Sequence, residues 1–368
     1  MEERKLRNSN IELLKIIAIL LIIIAHISDM FSSYHKVVDE RFLNMFFFDK
    51  AFATTNAEYF IVNMFCYFGR IGNTIFFLAT VYFLINRNKN RLSKIVNMIL
   101  DCWIISLGFI GITILLGVTI PKNDFIYSLF PTFFANNYYV TVYIIFYAIF
   151  PLINKGIEKI SQKNHLILSI VLMIVMSTAI LFINSEESRL LLVLINLITF
   201  IIIYIFYSYL LKYKMDFINS KKKNIIILTI GIAGLIIQQL ILNYVGLKVE
   251  TINDKMLILN GNQNIFAILV GMGLFNIAVS KTEWNNTFIN KVASLSLFIY
   301  VIHDNFLFRK YLRPWSARLL CDIFGEGLYI RKIIITTIVI AIASMVTAFV
   351  YKNTIGKLTK KVASLVEK

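Results

Sequence analysis

Stretches of about 20 consecutive apolar residues recur from one end of the chain to the other, and a run of that length is what a helix needs to cross a hydrocarbon core about 30 Å thick. Ten such spans are read at roughly 11–30, 68–86, 93–119, 138–154, 165–183, 190–211, 224–244, 263–280, 288–307 and 330–351. Within them Ile, Leu and Phe follow one another continuously, which fits helices and not the alternation of a membrane β-barrel. Charged residues make up only 16% of the 368-residue chain, against about 25% in soluble domains. A water-soluble globule is excluded. The fold class expected is all-α, a multi-pass cell membrane protein. No internal repeat interrupts it, so a single membrane domain is expected. The first run, Ile11 to Ile27, is longer than a signal-peptide core and has no small-x-small cleavage site, so it is expected to remain as the first span.

The net charge of +16 would suggest nucleic acid in a soluble protein. Here the basic residues lie between apolar runs, where they set topology and meet anionic lipids, so membrane lipids are expected partners and nucleic acid is not. Basic connections at Arg87 to Lys94, Lys155 to Lys163, Lys212 to Lys223 and Lys352 to Lys361 alternate with neutral or acidic ones. The positive-inside rule then puts both termini in the cytoplasm. One connection breaks this pattern. The loop before the last span, expected outside, carries Arg309, Lys310, Arg313, Arg318, Arg331 and Lys332 against Asp322 and Glu326. Such a basic patch on an outer loop is expected to meet an anionic partner. The long aromatic segment 31–67 is expected to lie in the membrane interface or to re-enter the bundle. Cys66, Cys102 and Cys321 have no paired spacing, so neither a metal site nor a disulfide framework is expected.

Ionisable residues inside an apolar run are costly and mark functional candidates. Lys15 and His26 share the first run, and their separation of eleven residues puts them on nearly one face, about 16 Å apart. With the N-terminus inside, Lys15 lies toward the cytoplasm and His26 toward the outer leaflet. The bland alternatives are a snorkelling lysine and a histidine bonded to a neighbouring helix. A second cluster, His303-Asp304-Asn305, closes the ninth run. Adjacent helical residues diverge by about 100°, so a direct relay from His303 to Asp304 is not expected and a polar helix cap is the bland reading.

These residues carry a resemblance. NSNIELLKIIAILLIIIAHIS resembles the first-helix signature of the acyltransferase-3 family, a basic residue followed eleven positions later by histidine. FGRIGNTIFFLATVYFL is similar to its second-span motif, NNYYVTVYIIFYAIFPLIN to its Tyr-rich fourth span ending in Pro-x-x-Asn, and SLFIYVIHDN to its late Tyr-x-x-His motif. The His-Asp-Asn ending most resembles members that O-acetylate capsular and cell-wall polysaccharides of Gram-positive bacteria. Three positions depart from the pattern: Lys15 replaces the commoner arginine, Val81 stands where glycine is usual, and Tyr138 occupies a frequent tryptophan position.

The resemblance implies a membrane O-acyltransferase spanning residues 1–368. It implies acetyl-CoA as donor substrate, no bound cofactor, and a surface or lipid-linked glycan as acceptor. Histidine suits proton transfer near neutral pH, so His26 is the catalytic candidate. Lys15, Arg87 and Arg91 are candidates for the CoA phosphates. Arg70, Tyr143, Tyr147 and Tyr300 are candidates for lining the cavity, with His303, Asp304, Asn305, Arg309 and Arg313 on the acceptor side. No appended esterase-like domain with a Gly-Asp-Ser nucleophile is expected, so transfer finishes in the bundle or on a polysaccharide-assembly partner. A polar path through ten helices would equally suit a glycan exporter without acyl transfer. The acceptor sugar and the acyl group itself stay open.

Overall fold

The computed structural model describes residues 7–31, 57–179, 189–246, 261–324 and 329–367. The described elements are helical throughout: α1 Ser9–Phe31, α2 Ala57–Leu84, α3 Leu92–Leu115, α4 Lys122–Leu129, α5 Tyr138–Lys159, α6 Gln162–Ala179, α7 Arg189–Tyr213, α8 Met215–Asn219, α9 Lys221–Gly246, α10 Ile265–Ser280, α11 Thr287–Ala293, α12 Ser296–His303, α13 Arg313–Phe324, α14 Tyr329–Asn353 and α15 Ile355–Ser364. Seven described helices are long and apolar enough to cross a membrane alone, and α6 and α10 are apolar but shorter. The chain is thus an all-α polytopic membrane protein. Helix is the form available there because a bilayer core offers no water to unpaired backbone groups.

The ninth run departs from a straight span. It breaks after His303 and bends by 67° into Phe308–Ser316, through a single π-helical turn at Phe308–Leu312. Asn305 sits at the corner, its side-chain oxygen accepting from the Leu307 amide at 3.0 Å. That bond satisfies a backbone donor the bend would otherwise orphan, and the return segment carries Arg309 and Arg313 back toward Asp304.

Two further expectations are corrected. Residues 57–67 are the first turns of α2, not loop, because Val62, Cys66 and Tyr67 bury in the bundle and Tyr67 donates to Gln239 at 3.0 Å. The rest of the expected interfacial segment, 32–56, lies outside the described residues. The basic patch is exposed only in part: Arg331 is exposed and Arg309 about a third so. Arg313 and Lys332 are buried, and Lys310 is taken up by the Asp124 carboxylate at 2.6 Å. The side chain of Arg318 lies outside the described residues.

In lipid, helices associate through close packing and interhelical hydrogen bonds, since burial from water contributes little. Both devices hold α1, which carries Lys15 and His26, against α2. A Cβ at Gly72 would fall 2.6 Å from the Ala18 carbonyl oxygen, and one at Gly69 would fall 2.9 Å from the Ala25 Cβ. Glycine therefore sets the spacing at those two levels. Val81, at the position where the resemblance favours glycine, is fully buried without preventing the approach. Replacing Gly72 with valine is expected to lower stability by about 1–3 kcal/mol through overpacking. Thermal unfolding of the purified protein in detergent checks this, and an unchanged midpoint would show that α1 and α2 do not meet there.

Asn154 fixes the cavity end of the bundle. Its amide donates to the carbonyls of Leu84 at 2.9 Å and Arg87 at 2.7 Å, and it accepts from Tyr204 at 2.7 Å. The Asn of the Pro-x-x-Asn motif thereby ties α5 and α7 to the C-terminal end of α2 and holds the segment bearing Arg87. At the same end, buried Asp101 on α3 accepts from Tyr351 and Thr359, each at 2.7 Å. α15 is anchored to α3 by these bonds.

Candidate active site

A cavity of about 1170 Å³ opens between the ends of α1, α2, α3, α5 and α14, larger than the roughly 300–1,000 Å³ of ordinary ligand pockets. Arg7 and Lys352 both line it, so the start of α1 and the end of α14 lie at this end of the bundle. Its charged lining is mostly basic: Arg7, Lys15, Arg87, Lys94, Lys212 and Lys352 against Glu12 and Glu283. Its inner end is closed by Ile22, Tyr139 and Tyr300.

Of the residues proposed for the donor, Lys15 and Arg87 line this cavity, and Arg91 does not. Arg91 is the residue before α3, and its backbone amide donates to the Tyr147 hydroxyl at 3.3 Å while its side chain faces out. Lys94, three residues on, occupies the place intended for it. The Lys94 ammonium donates to the Tyr143 hydroxyl at 2.8 Å and lies 4.2 Å from the Tyr147 ring centre, a cation–π arrangement. Tyr143 lines the cavity and Tyr147 backs it. Lys15 pairs with Glu12, one turn earlier, at 3.1 Å. Arg7 and Lys212 join the lining from positions that the spacing of motifs could not single out.

His26 lies one helical turn beyond Ile22, just past the inner end of the cavity. There the two clusters of the sequence meet. His26 Nδ1 is 3.2 Å from His303 Nε2 and 3.6 Å from Asp304 Oδ1, and the two imidazoles stack at 5.3 Å. His303 and Asp304, neighbours in sequence, each address His26. His303 and Asp304 are almost wholly buried, whereas His26 keeps 14% of its side chain exposed.

The hydrogen-bond chain assigns the protons. A carbonyl only accepts, so His303 Nδ1 must donate to the Ile299 carbonyl, 2.8 Å away. In the neutral ring His303 Nε2 then carries a lone pair and accepts the proton of His26 Nδ1. His26 Nε2 is left unprotonated, which is what a general base requires.

Asp304 gathers the surrounding charge. Its carboxylate meets Arg309 at 3.3 Å, Arg313 at 4.0 Å and the Tyr300 hydroxyl at 3.3 Å, and its backbone carbonyl accepts from Asn137 at 3.2 Å. Tyr300 packs against both His303 and Tyr139, linking the cavity to the histidines. Arg70, a candidate for lining the cavity, does not line it; it stands within α2 and acts on His26 electrostatically. Tyr138 is not at the histidines; its hydroxyl accepts from Asn73 at 3.2 Å. Asn305 is a capping residue, not part of the charged cluster. Among the described residues no group of three His, Cys, Asp or Glu side chains is arranged to hold a metal.

A model of the acyltransferase domain matches residues 8–351. No curated protein and no solved structure matches the chain at a significant level. The match takes in His26, His303 and all of the cavity lining except Arg7 and Lys352, and it supports acyl transfer. The chain belongs to the acyltransferase-3 family and is a membrane acyltransferase.

Proposed function

We propose that this acyltransferase moves an acetyl group from cytoplasmic acetyl-CoA to a hydroxyl of an extracytoplasmic glycan, with His26 as the general base. One observation carries the reading: a basic cavity ends one helical turn short of a histidine whose outer nitrogen is held unprotonated. CoA is polyanionic, and a cleft lined by cations attracts such a ligand. Arg7, Lys15, Arg87, Lys94, Lys212 and Lys352 would receive its phosphates. The pantetheine arm would run inward along α1 toward Tyr139 and Tyr300 and present the thioester to His26.

His26 Nε2 then takes the proton of the acceptor hydroxyl as its oxygen attacks the thioester carbonyl. The carbon–sulfur bond breaks, and the imidazolium returns that proton to the departing thiolate. Asp304, beside Nδ1, stabilises the imidazolium while it lasts. Sugar ester and CoA are the products, and protons balance over the cycle.

The test is the surface glycan. Cells lacking the gene are expected to make full-length polymer without O-acetyl groups in its NMR spectrum, and wild-type protein restores them. Loss of the polymer itself would point to export instead. On the donor side, Lys15→Ala is expected to raise the apparent KM for acetyl-CoA about 3- to 10-fold, the range of one partly exposed charge contact, while Lys15→Arg keeps it near wild type. Donor titration in proteoliposomes decides. An unchanged KM in Lys15→Ala would leave Lys15 with its Glu12 pair and no part in donor binding.

A further inference from the structure

Arg313 is the anomaly of the site. It is buried, with 6% of its surface exposed, yet its Nε and Nη1 find no hydrogen-bond partner among the described residues. Its ionic contact with Asp304 is 4.0 Å long, beyond hydrogen-bond reach. The same Asp304 oxygen is nearer to Arg309 and to His26, so Arg313 is the outermost claimant on a carboxylate already engaged. A buried charged donor without an acceptor costs stability, and native proteins leave one mainly where something else is to be bound. The bend after His303 is what brings this guanidinium inward, since a straight ninth helix would carry residue 313 away from the histidines.

We propose that the unpaired Nε–H of Arg313 is the oxyanion donor of the transfer step. This rests on the reading of His26 as the base. When the hydroxyl oxygen adds to the thioester carbonyl, the carbonyl electron pair moves onto its oxygen, and that negative charge must be met within the pocket. Arg313 and His26 approach the same Asp304 oxygen, at 4.0 and 3.6 Å, so the guanidinium belongs to the charged cluster around the base, and a tetrahedral centre held at His26 would have its oxygen within reach of it. Nε–H, which points away from the Nη1 atom facing Asp304, would donate to that oxygen. As the carbon–sulfur bond breaks, the pair returns to re-form the carbonyl and Arg313 is left as before. Arg309, about a third exposed and closer to Asp304, holds the carboxylate instead.

The step predicts a pattern that neither a structural arginine nor an acceptor anchor would give. The full-length protein in proteoliposomes is assayed for acetyl-CoA hydrolysis without acceptor, and for transfer to de-O-acetylated surface polysaccharide. An oxyanion donor serves both reactions, because both pass through the same tetrahedral centre. Arg313→Gln is expected to lower kcat of both by about 10²- to 10³-fold, the usual cost of removing one such donor, with both KM values nearly unchanged. Arg313→Lys keeps the charge without the fork and should fall between. Added methylguanidinium should restore part of kcat to Arg313→Ala.

A raised KM for the polysaccharide with hydrolysis intact would make Arg313 an acceptor anchor and overturn the proposal. So would loss of folded, monodisperse protein in both the Gln and Lys variants, or a variant with wild-type kcat. Failure of the parent reading looks different: His26→Ala would then transfer normally whatever Arg313 does.

Discussion

Replacing His26 with alanine is expected to reduce acetyl transfer by about 10²- to 10⁴-fold, the range for loss of a general base, while the protein still inserts and binds acetyl-CoA. The expectation follows from where the side chain sits. His26 lies beyond the inner end of the basic cavity and lines no part of it, so donor affinity should survive its removal. Its ring is partly exposed and leans on His303, so its loss leaves a small gap and no stranded carboxylate, because Asp304 retains Arg309 and Tyr300. Transfer rates and acetyl-CoA binding measured on one preparation check both halves. A mutant that binds donor and transfers near the wild-type rate would remove His26 from the chemistry.

Asp304→Asn should be almost as damaging, at about 10²- to 10³-fold in kcat. It keeps the shape of the side chain and removes the negative charge that stabilises the imidazolium, a kind of loss that reaches about 10⁴-fold when the histidine tautomer also changes. Here the tautomer is fixed independently by the Ile299 carbonyl through His303, so the smaller figure applies. The same substitution leaves Arg309 and Arg313 without their shared anion. Steady-state kinetics with both substrates provides the check. The fall should appear in kcat with little change in the KM for acetyl-CoA, because Asp304 does not line the donor cavity. A rise confined to that KM would assign Asp304 to donor binding.

The reach of the sequence can be judged from these same residues. The helices were legible because an apolar run of bilayer length admits few other structures, and Lys15 and His26 stood out as ionisable groups within one. His303 and Asp304 were legible as a polar cluster but not as partners of His26. Their contact joins positions 277 residues apart and depends on the glycine-set approach of α1 to α2 and on the bend after His303. That bend also explains the misjudged place of Arg313: read as a loop, Arg313 belongs in water, whereas the folded-back segment buries it. Arg91 and Lys94 illustrate a finer limit. Spacing marks the segment as basic, but the helix beginning at Leu92 decides which cation faces the cavity.

The central claim is that donor and acceptor meet at His26 from opposite ends of the bundle, and sidedness tests it most directly. Radiolabelled acetyl-CoA is supplied to only one face of sealed vesicles of known orientation, with the polysaccharide present on the other. Label is expected in the glycan only when acetyl-CoA is on the face carrying Arg7 and Lys352, and His26→Ala should abolish it. Labelling only with donor on the opposite face, or with donor and glycan on the same face, would contradict the account.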